Sequence, residues 1–331
     1  MKSFQFRTEV APKPSDWKIN HHTEILTLGS CFAEVLGSQL EAYKFRVLSN
    51  PFGTVFNPYS MANLLTMVVE NRAPNPHLYL ATPDGICLHH DFHSSLWAPS
   101  REALQQLLTQ RLEAVRAQLA RAQVLVLTFG TAHAYRHKGT LAVVSNCHKV
   151  PQPQFIKELL SVEQIVRMWE KLIRALRLDL KIVLTVSPVR HTRDTIPLNQ
   201  VSKSILRVAC HALSQTFPNV TYFPSYEIMV DELRDYRYYE PDMIHPTPLA
   251  EAYIFRTFAQ TYLDEASQRW LEEWDAIQKM RQHRPQHGFT ESYRSLLLQL
   301  RQRLHQLPAT VEVQAELGEV NQQLANFPVR S

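Results

Sequence analysis

The chain has little glycine, 8 residues in 331, and less cysteine, 4 residues, at positions 31, 87, 147 and 210. The cysteines lie far apart and form no CxxC pair, so neither a disulfide framework nor a zinc knuckle is suggested; free thiols are the simplest reading. No run approaches the roughly 18 apolar residues that a membrane helix needs, and the opening MKSFQFRTEVAPKPSDW lacks the apolar stretch of a signal-peptide core. A cytoplasmic protein without a membrane partner is therefore expected. Charge of one sign is missing too: 35 Lys and Arg face 31 Asp and Glu with no basic block, so nucleic acid is not an expected partner. What is present is 45% hydrophobic and 20% charged residues, the composition of a folded globular chain long enough for one large domain or two small ones.

Short apolar runs alternate with helical periodicity. Residues 24–30 (EILTLGS) read as a strand ending in Gly-Ser, followed by a helix in which Phe32, Val35, Leu36 and Leu40 recur at helical spacing. Strands are expected again at 45–48, 123–129, 181–186 and 220–223, and helices at 59–70, 102–122, 162–176, 200–215 and from Pro248, with Thr247 as N-cap, to about 263. Residues 73–98, rich in Pro, His and aromatics, read as an irregular insertion. Continuous apolar strands alternating with helices predict an α/β fold with a mostly parallel five-stranded sheet covered by helices on both faces. After residue 264 the chain turns glutamine-rich and helical, which divides it into a domain over 1–264 and a helical extension over 265–331. The extension's stripes, Trp270, Trp274 and Ile277, then Leu296, Leu297, Leu300 and Leu304, must pack on something: the same chain, a second copy in a homodimer, or a protein partner.

In a parallel sheet, ligands gather beyond the carboxyl ends of the strands. Gly29, Gly53 and Gly130 follow three successive strands, a concentration that the scarcity of glycine makes informative. Ser30 opens a helix, where free N–H groups and the helix dipole favour a developing oxyanion, although serine is also an ordinary N-cap. Far downstream, Asp242-Met243-Ile244-His245 has the spacing for a carboxylate to orient an imidazole that serves as base to a serine.

These residues resemble a known family. Leu28-Gly29-Ser30-Cys31-Phe32-Ala33 matches the signature of the GSCFA family, and the likeness continues through Asn50-Pro51-Phe52-Gly53, Asn57-Pro58, Asp91-Phe92-His93-Ser94, Gly130-Thr131-Ala132 and Asn146-Cys147-His148-Lys149-Val150-Pro151, covering roughly residues 6–263. That family is similar to the SGNH (GDSL-like) hydrolases, which implies a three-layer α/β/α sandwich and serine esterase chemistry. Carried over, Ser30 matches the nucleophile, Gly53 the oxyanion glycine, and Asp242 and His245 the DxxH of the last block. The third block departs: Ala132 stands where SGNH proteins have asparagine, so an oxyanion donor is missing, and Asn146, His133 or His148 are candidates to replace it, Asn146 first.

The expected function is hydrolysis of an acyl ester, carbohydrate-borne or another small molecule, or acyl transfer to a hydroxyl by the same residues without a cofactor. Gly130, His93 and His133 would line the substrate site. A second reading is metal-dependent hydrolysis by His89-His90-Asp91-Phe92-His93 with His133, His137 and His148. A third is a non-catalytic binding module whose helical tail recruits a partner. Arg190 is a candidate for an anionic substrate group and Cys31 a candidate alternative nucleophile, although both are more simply structural.

Overall fold

The structure, a computed structural model, describes residues 7–286, 288, 290–308 and 311–327. In chain order the elements are β1 (Ile25–Gly29), α1 (Cys31–Ala42), β2 (Val47–Ser49), α2 (Pro58–Glu70), β3 (Tyr79–Ala81), β4 (Cys87–His89), α3 (Arg101–Arg121), β5 (Val124–Phe129), β6 (His133–His137), β7 (Val143–Val144), β8 (Phe155–Leu159), α4 (Val162–Ala175), β9 (Lys181–Val186), α5 (Ile196–Thr216), β10 (Val220–Phe223), the short α6 (Ser225–Glu227), α7 (Pro248–Tyr262), α8 (Glu265–Arg281), α9 (Glu291–Gln306) and α10 (Gln314–Ala325).

Five strands form one sheet in the order β10-β9-β5-β1-β2, and every pair in it is parallel. The runs that read as buried strands are buried: all of Ile25–Gly29 and all of Val124–Phe129. Their apolar side chains join those of the flanking helices in a core that includes Leu65, Leu108, Trp169 and Leu206. The indole N–H of Trp169 donates to the Pro58 carbonyl at 3.1 Å, which ties α4 to the start of α2 without leaving a buried donor unpaired. Thr247 caps α7 as its sequence suggests, its hydroxyl accepting from Ala250 N–H at 3.4 Å.

Two details differ from the sequence reading. The stretch after β5 carries an antiparallel three-stranded sheet, β7-β6-β8, and the 73–98 insertion contains the β3-β4 pair. These strands are short and, apart from the two residues of β7, only partly buried, so they lack both the apolar run and the alternation that betray a strand. Helix α5 starts at Ile196, four residues earlier than expected, because Pro197 lies in its first turn, where a missing N–H costs nothing.

The chain divides into two compact units. The first comprises 1–13, 23–39 and 47–258; the second comprises 14–22, 40–46 and 259–331. Within the second unit the helical stripes are satisfied by their own chain: Trp270, Trp274, Ile277, Leu297, Leu300 and Leu304 are buried. The indoles of Trp270 and Trp274 donate to the Tyr43 and Ala42 carbonyls at 2.9 and 2.7 Å. Lys44 pairs with Glu316 at 2.7 Å.

Candidate active site

The sheet order sets the location. From β1 the chain places β2 on one side and β5, β9 and β10 on the other, so β1 and β5 flank the point where strand order reverses and their outgoing loops part. Ser30 leaves β1 there and Gly130 leaves β5. Gly29, with φ 143°, cannot be replaced without strain, because a Cβ would run into the Thr128 carbonyl of the paired strand. Ser30 is completely buried, and its Oγ has no hydrogen-bond partner among the described residues. An unpartnered buried hydroxyl costs stability, and at the N-terminus of α1 it lies where the helix dipole favours negative charge.

The Asp242–His245 pair is formed. His245 Nδ1 lies 2.7 Å from Asp242 Oδ2, while Asp242 Oδ1 accepts the N–H groups of Ile244 and His245 at 2.8 and 3.0 Å. The hydrogen bond from His245, followed by those two N–H groups, holds the Asp242 carboxyl down at about 2. Both side chains are half exposed. With Nδ1 held by the carboxylate, Nε2 is the nitrogen left for proton transfer. Because Ser30 Oγ is unpartnered among the described residues, the serine and the dyad are not joined by a hydrogen bond.

The other expected residues are placed as follows. Gly53 follows β2 and packs against the His93 side chain, but its N–H donates to the Asn50 carbonyl at 2.8 Å. The Ser30 N–H is likewise spent on the Thr128 carbonyl at 3.0 Å, and Gly130 N–H on the Phe56 carbonyl at 2.8 Å. Asn146 closes a local turn, its Oδ1 accepting from His148 N–H at 2.8 Å. His93 bonds the Ser95 hydroxyl at 3.0 Å, and His133 lies 3.6 Å from Asp194. Burial raises the Cys31 thiol, against its use as a nucleophile. Arg190 lies 3.9 Å over the Tyr239 ring, and its backbone N–H donates to the Ile244 carbonyl at 3.2 Å, joining the loop after β9 to the loop that carries His245.

Sequence reasoning gave no role to the polar face of α5. Asn199, Ser202 and Lys203 are all buried there. Asn199 Oδ1 accepts from His191 N–H at 2.9 Å and Ser202 Oγ from Ala132 N–H at 2.8 Å; Lys203 Nζ donates to the Gly130 and Ser187 carbonyls at 2.8 and 2.7 Å. Burial pushes the Lys203 amine down to about 7. Polar residues at i, i+3 and i+4 in a partly apolar helix are the signal that was available. His191, next to Arg190, also received no role from the sequence. Burial, then the charge of Lys203, pushes its imidazole down to about 3, and His133 and His245 are near enough to act on it. Beside it, Arg190, Asn199, Tyr226, Tyr236 and Tyr239 help to line a cavity of about 320 Å³.

A family model described as the GSCFA family matches residues 24–258, and one described as GSCFA domain protein, C-terminal domain, matches residues 274–326. The chain belongs to the GSCFA family. No curated protein matches it.

The histidine-rich segment of this GSCFA protein is built differently from the serine end. His89 Nε2 bonds the Asn75 carbonyl at 3.0 Å, His90 Nδ1 the Asn146 carbonyl at 2.8 Å, and His148 Nε2 the His89 carbonyl at 2.9 Å. A ring nitrogen facing a carbonyl must carry the proton, so one nitrogen of each ring is committed. His89 Nδ1 in turn accepts the Asp91 N–H at 3.1 Å. Among the described residues, no group of three or more His, Cys, Asp or Glu is placed to hold a metal ion. No helix among them is long and apolar enough to cross a membrane.

Proposed function

We propose that this GSCFA protein is a serine-dependent acyl-ester hydrolase with Ser30 as nucleophile and Asp242–His245 as the orienting dyad. The observation that carries the reading is the dyad itself: a carboxylate pinned by two backbone N–H groups and bonded to Nδ1 of an imidazole whose Nε2 is left for the reaction. In the first step Ser30 Oγ attacks the ester carbonyl and its proton passes to His245 Nε2. Collapse of the tetrahedral oxyanion breaks the carbonyl–alkoxy bond, and the proton goes from His245 to the departing alcohol. Water, deprotonated by His245, then cleaves the acyl-enzyme and returns the proton to Ser30. A sugar hydroxyl in place of water makes the protein an acyltransferase. The tyrosine-lined cavity beside Arg190 suits a carbohydrate ester, whose apolar ring faces stack on aromatic side chains.

A second reading, a binding module on the same fold, draws support from the burial of Ser30 and from the backbone N–H groups of Ser30 and Gly53 being engaged within the protein. Labelling with a fluorophosphonate, mapped by mass spectrometry, separates the two. The hydrolase reading expects one adduct on Ser30 in the wild type, lost in Ser30→Ala and lowered by about 10³-fold or more in His245→Ala, with no sensitivity to a chelator. A folded wild type that takes no adduct favours the binding module.

A further inference from the structure

The backbone N–H groups of Ser30, Gly53 and Gly130, the oxyanion donors that the serine reading would use, are already engaged within the protein. Ser30 N–H is bonded to Thr128, Gly53 N–H to Asn50, and both Gly130 and Thr131 N–H to Phe56. Ala132, at the position of the missing asparagine, has no side-chain donor, and its N–H is bonded to Ser202. Two side-chain nitrogens near Ser30 remain unpartnered among the described residues, Asn50 Nδ2 and His191 Nε2, and both atoms are buried.

Their positions are fixed from opposite sides. Asn50, only 7% exposed, accepts the Gly29 N–H on its Oδ1 at 3.0 Å. Because that partner is a donor, the amide orientation is determined, and Nδ2 is the atom left unpaired one residue from Ser30. His191 approaches across Gly130: a Cβ at position 130 would lie 3.2 Å from Ser30 Cβ and 3.3 Å from His191 Nε2, so any side chain there would fill the space between them. The ring is held edge-to-face by Phe56, with centroids 5.4 Å apart, and its backbone is held by Asn199. Buried polar groups are nearly always paired, so two orphaned nitrogens on side chains that neighbour one orphaned hydroxyl point to an absent partner.

We propose that Asn50 Nδ2–H and His191 Nε2–H form the oxyanion hole of this protein, in place of the backbone donors and of the asparagine that the third block lacks. The proposal rests on the serine reading. It requires His191 to stay neutral and to carry its proton on Nε2. Burial favours the neutral form, and a ring so hard to protonate is a poor general base but an adequate hydrogen-bond donor, the base being His245. The acceptor is the carbonyl oxygen of the substrate as it gains negative charge, which these donors meet without reorganisation.

The test is the rate of fluorophosphonate labelling at Ser30, resolved into kinact and KI, with folding checked by circular dichroism and thermal melting. His191→Leu is expected to lower kinact by about 10²-fold with KI nearly unchanged, and His191→Gln, which offers an amide N–H at similar reach, to recover most of that loss. Asn50→Asp keeps the acceptor for Gly29 N–H and removes the donor, with a loss of similar or greater size. If His191→Leu does not fold, the pair His191→Gln and His191→Glu carries the comparison, since they match in shape while Glu replaces the N–H donor by a carboxylate oxygen that repels the oxyanion. Folded variants that label at the wild-type rate overturn the proposal and leave the serine reading standing. A wild type without an adduct on Ser30 overturns both.

Discussion

Two parts of the first unit are rich in histidine, and they use it in opposite ways. Around His89, His90 and His148, a ring nitrogen of each residue is tied to a backbone carbonyl, so the imidazoles act as struts that fix loops. Around Ser30, the Nε2 of His191 has no hydrogen-bond partner among the described residues, while the dyad loop supplies a completed side-chain pair, Asp242–His245. Counting histidines finds the struts first. What separates structure from chemistry is which nitrogens remain unpaired once the backbone has been satisfied.

The contrast is broken most severely by removing the polar support beneath the serine end. Lys203→Met leaves the Gly130 and Ser187 carbonyls buried without their donor, and is expected to lower the unfolding free energy by about 2–4 kcal/mol, read by urea denaturation. Unchanged stability would mean that those carbonyls have other partners.

On the strut side, burial raises the Asp91 carboxyl to about 7, and its Oδ2, 4.0 Å from His89 Nδ1, has no hydrogen-bond partner among the described residues. The folded state then holds a proton that the unfolded state releases near pH 4, so this group's stabilisation is complete below that pH and declines as pH rises toward 7. The slope is about 1.4 kcal/mol per pH unit for one proton. Asp91→Asn should remove that slope from unfolding measured between pH 4.5 and 7, with Ser30 labelling intact. An identical slope in the variant would contradict it.

The smallest effect on stability is expected at the proposed nucleophile. Ser30→Ala removes a hydroxyl that makes no hydrogen bond, so its melting temperature should stay level or rise while labelling disappears. A marked drop in melting temperature would show that the hydroxyl has a structural partner.

The sheet was legible because its strands are buried on both faces and appear as unbroken apolar runs, as in Val124–Phe129. The Asp242–His245 pairing and the position of Ser30 after β1 were legible because each falls in a short motif at a strand end or before a helix. The strands β6 and β8 were not: His133, Tyr135, Arg136 and Lys157 carry long polar side chains on a small, half-exposed sheet and leave no hydrophobic period. Nor was the use of Asn50, whose left-handed backbone, with φ 41°, brings its amide back to Gly29. Asn146, the donor named first from the sequence, accepts the His148 N–H on its Oδ1 in a local turn, an engagement that only the three-dimensional structure shows.

The second unit is assembled from three separated stretches, 14–22, 40–46 and 259–331. Ile19 N–H bonds the Tyr262 carbonyl at 2.8 Å, and the indoles of Trp270 and Trp274 reach back to Tyr43 and Ala42. During synthesis its earliest residues therefore leave the ribosome more than two hundred positions before their packing partners exist, and the unit closes only after residues 259–331 have been made. A gene shortened after codon 258 would encode the segment matched by the first family model and strand two early stretches without the helices they pack on. The two matched segments are separable as text and inseparable as folded matter.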